Sequence, residues 1–234
     1  MQNTVFSRLA LLALFLITIG LTSANAQSRQ RWSGGPRLGL NMSKFMGVIA
    51  SPFPSIPTEV KFLPGASAGI GFMYSDVSHF GFAFDILYSQ EGTRYKNGNS
   101  RQRVNYVEVP ITLRYFLNDE GNFRPNVFFG PSVALRTKAN FDPTQGSPSD
   151  KFDNTAVFKP TEVGLTGGLQ LNFRVRNRER FLVDLRYTHG LTDVWTGPGT
   201  TQNQTFTFGL GYNFGIGRNY QPGDRKLPVE TRRP

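Results

Sequence analysis

Phe206-Thr207-Phe208-Gly209-Leu210-Gly211-Tyr212-Asn213-Phe214-Gly215-Ile216 alternates six bulky apolar residues with Thr, Gly, Gly, Asn and Gly. A period of two sends successive side chains to opposite faces of an extended strand. One face here is Phe, Leu, Tyr and Ile, and the other is nearly bare. Phe80-Gly81-Phe82-Ala83-Phe84-Asp85-Ile86-Leu87-Tyr88-Ser89 repeats the scheme, as does Val163-Gly164-Leu165-Thr166-Gly167-Gly168-Leu169-Gln170-Leu171-Asn172-Phe173. Extended along the chain, the pattern predicts eight strands, near 37–46, 66–75, 80–89, 103–116, 124–137, 161–175, 181–190 and 204–216.

These strands match or exceed the roughly 9–11 residues that a tilted strand needs to cross a bilayer, whereas soluble strands average about 5–6. Connections alternate in length: 47–65, 90–102, 138–160 and 191–203 are long, and 76–79, 117–123 and 176–180 are short. Long connections then share one rim and tight turns the other, the layout of outer-membrane barrels. A soluble barrel would turn its apolar face inward. The lumen of eight strands is only just wide enough to be filled by side chains, so the Phe-rich face must point outward, into lipid. The reading is an all-β, eight-stranded antiparallel up-and-down transmembrane β-barrel over 37–216. Pro110 and Pro131 fall inside predicted strands of a closed sheet, so each is expected to mark a β-bulge.

The 234 residues carry 26 Lys+Arg against 16 Asp+Glu, with 25 glycines, 21 phenylalanines and no cysteine. Without cysteine there is no disulfide framework, Cys-ligated metal or thiol nucleophile. His79 and His189 are the only histidines, too few for a histidine-rich metal centre. No cofactor is expected. The many glycines precede no helix, so they are not phosphate cradles; they suit a sheet whose inward side chains must be small.

Residues 1–26 read as a signal peptide: Arg8 precedes the apolar run Leu9 to Leu21, and Ala24-Asn25-Ala26 is the small-x-small pattern of a cleavage site before Gln27. Residues 27–36 would form a short periplasmic segment, and 217–234, basic and proline-containing, a disordered periplasmic tail. For an exported basic chain, lipopolysaccharide phosphates and anionic lipid headgroups are the natural counter-charges, and nucleic acid is not a partner.

Strand parity directs Asp85, Glu108, Thr112, Arg114, Gln170, Asn172, Arg174, Asp184, Arg186 and Asn213 into the lumen. Both charge signs lie on neighbouring strands. In so narrow a barrel Asp85, Glu108, Arg114, Asp184 and Arg186 should pair into a structural network, the alternative being a selectivity filter or proton path. Tyr74, Phe80, Tyr88, Tyr115, Phe116, Tyr187, Trp195, Tyr212 and Phe214 are expected in the two interfacial aromatic girdles. Near the long-connection rim, His189 with Asp193 is the nearest approach to an enzymatic pair, but no nucleophile accompanies it; an enzyme is not expected.

Thr207-x-Gly209-x-x-Tyr212-x-Phe214 resembles the β-signal read by the outer-membrane barrel assembly machinery, although a segment follows it where the signal usually ends the chain. More broadly, Gly39-Leu40-Asn41-Met42-Ser43, Tyr106-Val107-Glu108-Val109-Pro110-Ile111, Gly130-Pro131-Ser132 and Asp184-Leu185-Arg186-Tyr187-Thr188-His189-Gly190-Leu191, in that order, resemble the PorT-like, outer membrane protein β-barrel domain family of Gram-negative bacteria. The resemblance implies an eight-stranded meander barrel in the outer membrane. A founding member takes part in type IX protein secretion, and no catalytic residues come with the family. The functional expectation is a non-enzymatic barrel, integral to the outer membrane with periplasmic termini, that contacts other envelope proteins, with a narrow solute or ion channel as the alternative.

Overall fold

A computed structural model of the protein describes residues 31–47, 59–75, 79–95, 100–118, 121–143, 151–176, 179–197 and 199–216. The leader, with its cleavage site at Ala24, Ala26 and Gln27, and the basic segment 217–234 lie outside the described residues.

Eight long strands form the wall: β1 (Arg31–Gly47), β2 (Val60–Ser75), β3 (Phe80–Tyr95), β4 (Arg101–Phe116), β5 (Phe123–Asp142), β7 (Thr161–Arg176), β8 (Glu179–Gly190) and β9 (Thr201–Ile216). The two-residue β6 (Phe152–Asp153) adds to the far end of β5. Every long strand pairs antiparallel with its chain neighbour, and β1 pairs with β9, so the sheet closes on itself. Closure leaves the long strands no exposed edge. The apolar stripes face outward. Leu113, Phe129, Leu185 and Phe206 are all at least half exposed, as residues in contact with lipid must be.

Most strands run further towards the long-connection rim than their bulky alternation does. β2 begins at Val60, β3 ends at Tyr95 and β5 ends at Asp142, where alternation suggested 66, 89 and 137. The β3–β4 connection, expected over 90–102, is largely absorbed into paired strand. At the opposite rim β1 starts at Arg31 rather than 37.

The expected bulges at Pro110 and Pro131 are not found. Pairing of β3 with β4 lapses between Phe84↔Ile111 and Leu87↔Glu108 and resumes in the same register. On the other side of β4, Pro110↔Ser132 and Leu113↔Phe129 also share one register. A strand residue directs its N–H to only one neighbour, so a proline forfeits one bond and need not displace the strand. The register shifts fall elsewhere, between Phe62 and Ser67, Asn105 and Tyr106, and Arg174 and Arg176.

Candidate functional site: the filled lumen and its cap

Working from the short-turn rim upward, the first layer is apolar. Phe116 packs with Met73 and Ala83, and the Arg124 guanidinium lies 4.2 Å above the Phe116 ring. Phe116 therefore faces inward and is not part of a girdle, because its parity follows that of Arg114. Above it, Arg114 donates to Gln170 Oε1 at 2.8 Å and Asn126 Oδ1 at 3.1 Å and stacks on Phe128 at 4.7 Å. Neutral amides and an aromatic face thus hold this cation, where an acidic partner was expected.

The mid-lumen cluster joins Asp85, Arg186, Arg37 and Asp184. Arg186 Nη2 lies 2.8 Å from Asp85 Oδ2, Arg37 Nε 3.6 Å from Asp85 Oδ1, and Arg186 Nε 3.9 Å from Asp184 Oδ1. All four are buried. Room for them comes from the wall. A Cβ built on Gly71 would clash with the Asp85 carboxylate and the Arg37 guanidinium, and one on Gly209 would strike the Asp184 carboxylate.

Higher still, Asn41 links Ser89 at 2.9 Å and accepts from Thr207 at 3.0 Å. Glu91 accepts from Ser89 at 2.8 Å, from Thr205 at 3.1 Å and from Asn203. Glu108 shares this region with Glu91 and has no ion-pair partner among the described residues; its Oε1 also lacks a hydrogen bond there. It makes no ion pair with the mid-lumen cluster it was expected to join, although Arg186 and Asp85 lie close enough to act on it electrostatically. Arg174 is exposed at the short-turn rim, not lumenal, beside the β7–β8 register shift.

At the long-connection rim an apolar cap covers the lumen. Phe45, Val104, Tyr106 and Ala139 from the wall pack with Phe158, Val194 and Trp195 from the connections 143–160 and 191–200. Phe158 and Trp195 meet edge to face with ring centroids 5.3 Å apart. Trp195 is thus a cap residue and not an interfacial anchor. The two connections are tied by Lys159 Nζ to Asp193 Oδ2 at 2.7 Å, while Asp193 Oδ1 accepts from the backbone N–H of Thr201 at 2.8 Å and of Trp195 at 3.2 Å. Partial burial favours the neutral acid, but these donors outweigh it and hold the Asp193 carboxyl below its ordinary value.

The outward aromatics form two bands. Trp32, Tyr74 and Phe82 interlock near the short-turn rim, with Phe80 against Tyr115 nearby. Phe62, Phe206 and Tyr187 line the other end. His189 faces Tyr187 and Gln204, each at 3.4 Å from Nδ1, whereas Asp193 is engaged by Lys159. The pair considered from the sequence thus has other partners. His79, at the short-turn rim, packs on Tyr115. Of the four residues that resemble an assembly signal, Thr207 and Gly209 face the lumen. Tyr212 faces out, donating to Glu179 at 2.7 Å and packing on Phe214.

A closed, outwardly apolar barrel of this kind is matched by one family model, described as outer membrane protein beta-barrel domain, over residues 25–196. The chain belongs to that family. Membership and the barrel together make it an outer-membrane protein. No curated protein matches the sequence. Among solved structures, the chain is similar to neisserial surface protein A, at 13% identity and a TM-score of 0.48, covering 79% of this chain and 97% of that one. OprG of Pseudomonas aeruginosa is 11% identical, with a TM-score of 0.46, covering 81% and 96%. The attachment invasion locus protein Ail of Yersinia pestis is 14% identical, with a TM-score of 0.40, covering 78% and 98%.

Within this family barrel, sequence reading missed Arg37, Glu91, Arg124, Asn126 and Glu162 as lumenal residues. Parity was available for all five. Arg37 escapes notice because bulky alternation in β1 is visible only from that residue onward, and Glu91 because the bulky alternation of β3 stops before it. The cap had no such signal, since Phe158 and Trp195 lie in connections without period. Among the described residues, no group of three or more His, Asp or Glu is arranged to hold a metal ion.

Proposed function

We propose that the protein is a non-enzymatic, non-conducting outer-membrane barrel that serves as a scaffold for other envelope components. Its long-connection rim faces the cell exterior and both termini face the periplasm. The observation that carries this reading is the double obstruction of the lumen, by the Arg37–Asp85–Arg186–Asp184 cluster and by the Phe158–Trp195 cap. Opposite charges joined across so narrow a barrel leave no continuous column of water. The rim is then the surface left for partners, and loops held by a rigid scaffold are where binding residues concentrate. The segments from Gly39-Leu40-Asn41 to His189-Gly190-Leu191 support the PorT-like reading, and with it secretion components as the first partners to seek. Thr207, Gly209, Tyr212 and Phe214 support delivery by the barrel assembly machinery.

Planar-bilayer recording tests the obstruction: purified protein should give no steady single-channel steps. Reproducible steps in the wild type, with ion selectivity altered in Arg186→Ala, would replace the scaffold by a narrow channel. Orientation has its own test. A cysteine at the exposed Thr200 should react with an impermeant thiol reagent on whole cells, and one at the exposed Asn122 should not. The reverse labelling would invert the barrel. Affinity capture of the full-length protein from detergent-solubilised envelopes should recover the same envelope proteins in repeat experiments, and consistently empty captures would count against a scaffold.

A further inference from the structure

On the outer wall, the lipid-facing residues of β4 run Tyr115, Leu113, Ile111, Val109 and Val107, and then change character to Asn105, Arg103 and Arg101. The same height on β3 carries Arg94 and on β5 Lys138. The strand register assembles these into one patch. Arg94 stands directly opposite Arg101, Arg103 lies between Gly92 and Asn140, and Lys138 lies beside Asn105.

Lys138 reaches this face through a bulge. The shift that pairs Asn105 with Lys138 but Tyr106 with Arg136 inserts Thr137 as an extra residue. Beyond it the parity of β5 is reversed, so Ala139 and Phe141 turn into the barrel and Lys138 turns out.

Like charges directly opposite one another on neighbouring strands are destabilising. Even so, none of Arg94, Arg101, Arg103 and Lys138 has an ion-pair partner among the described residues, and Arg94 Nε has no hydrogen bond there. Two acids lie in register with them: Asp142, opposite Arg101, is engaged by Lys151 at 3.4 Å, and Asp153 of β6, opposite Asn140, accepts from the backbone N–H of Thr155 at 2.8 Å. The run continues on β2, where the exposed Lys61 stands opposite Arg94, and thins out beyond it. At comparable height β9 presents Gln202 and Gln204, β8 presents His189, and the single lysine of β1, Lys44, lies 4.8 Å over the Phe62 ring.

We propose that Arg94, Arg101, Arg103 and Lys138 form a binding site on the outer wall for the phosphates of lipid A in the outer leaflet. The ligand is a lipid because the patch sits on the lipid-facing side, immediately beyond the apolar band, where an anionic headgroup lies above its own acyl chains. Guanidinium groups fork onto phosphate oxygens, and the amides of Asn105 and Asn140 add donors for the sugar. The bound phosphate offsets the Arg94–Arg101 repulsion. The site rests on the orientation proposed above, and the Thr200 labelling tests that orientation without reference to lipid.

The experiment uses full-length protein in phosphatidylcholine nanodiscs with added diphosphorylated lipid A, read by native mass spectrometry. The triple variant Arg94→Gln, Arg101→Gln, Arg103→Gln should retain lipid A about tenfold less than wild type, because three charge-assisted contacts are lost. Lys44→Gln, two strands away on β1, where the lysine is held over the Phe62 ring, should retain it fully. The single variant Arg103→Gln, which keeps Arg94 and Arg101 in place, should show an intermediate loss and covers the case in which the triple variant does not fold. Dephosphorylated lipid A should bind the wild type as weakly as lipid A binds the triple variant. Equal retention by wild type and Arg103→Gln would overturn the site. So would equal binding of phosphatidylglycerol, which would leave only a general anionic surface, or full competition by millimolar inorganic phosphate, which would leave a site for the free ion.

Discussion

Gly209 shows how a residue with no side chain positions one with a charge. It faces the lumen against the Asp184 carboxylate, so any larger residue must displace a buried acid that lies 3.9 Å from Arg186. Gly209→Val is expected to lower stability by about 1–3 kcal/mol, the usual penalty for overpacking, and Asp184→Ala in the same chain should restore part of it. The midpoint of heat-modified gel mobility measures both. A Gly209 defect that Asp184→Ala leaves untouched would point to the assembly signal instead. Arg186→Ala removes the shortest ion pair of the cluster and leaves Asp184 and Asp85 short of positive charge. Breaking a buried pair from one side costs about 3–5 kcal/mol. Arg37→Ala should cost less, because its contact with Asp85 is 3.6 Å against 2.8 Å for Arg186. Urea unfolding in micelles gives the order of the two, and equal losses would mean that the cluster does not act through these distances.

At the scale of elements, β5 does two jobs by changing parity once. Up to Ala134 its even residues fill the lumen and its odd ones meet lipid; after the bulge at Thr137, Ala139 and Phe141 face inward. Nothing in the residue types around Thr137 announces this, because an extra residue leaves no mark in a strand already rich in polar side chains. The ends of β3 and β4 were obscured for a related reason. Beyond the apolar band their outward positions become Arg94, Arg101 and Arg103, so the bulky alternation that reveals a strand stops while the hydrogen-bonded ladder continues. Asp85, Arg114, Asp184 and Arg186 were legible because they lie where alternation is strongest. The connections that close the cap follow a different chemistry, in which Asp193 is the fastening. Its folded-state pKa is depressed, so its contribution is present above the unfolded value of about 3.9 and is lost as pH falls through the lower folded value. In a Trp32→Phe background, acrylamide quenching of Trp195 should stay flat from pH 8 to about 5 and rise only in stronger acid. Asp193→Asn should show the raised quenching already at neutral pH, and quenching that ignores both changes would separate the cap from this carboxylate.

Across the whole molecule, inside and outside have exchanged their usual contents. The exterior is Phe and Leu because lipid is the solvent there, and the interior is Arg, Asp, Glu and Asn, held by one another and by Ser, Thr, Gln and backbone groups. The sequence therefore disclosed the architecture through its faces, as the glycine-rich side could only be the crowded one. What it disclosed less well was which charges meet. Parity names the wall and the side, but Arg114 with Gln170 and Arg186 with Asp85 are contacts across the bore, set by height and by shear. A one-dimensional pattern carries neither.

The seam between β1 and β9 pairs Trp32 with Ile216 and Gly47 with Thr201. The two ends of the described chain therefore lie side by side at one rim, and the sheet is a ring in which the start of the polypeptide is only where the ring happens to be cut. Joining 216 to 31 and opening the chain within 191–200 would preserve every long-strand pairing while moving Thr207, Gly209, Tyr212 and Phe214 from the last strand to the first. Geometry is indifferent to that move; an assembly machine that reads the final strand is not.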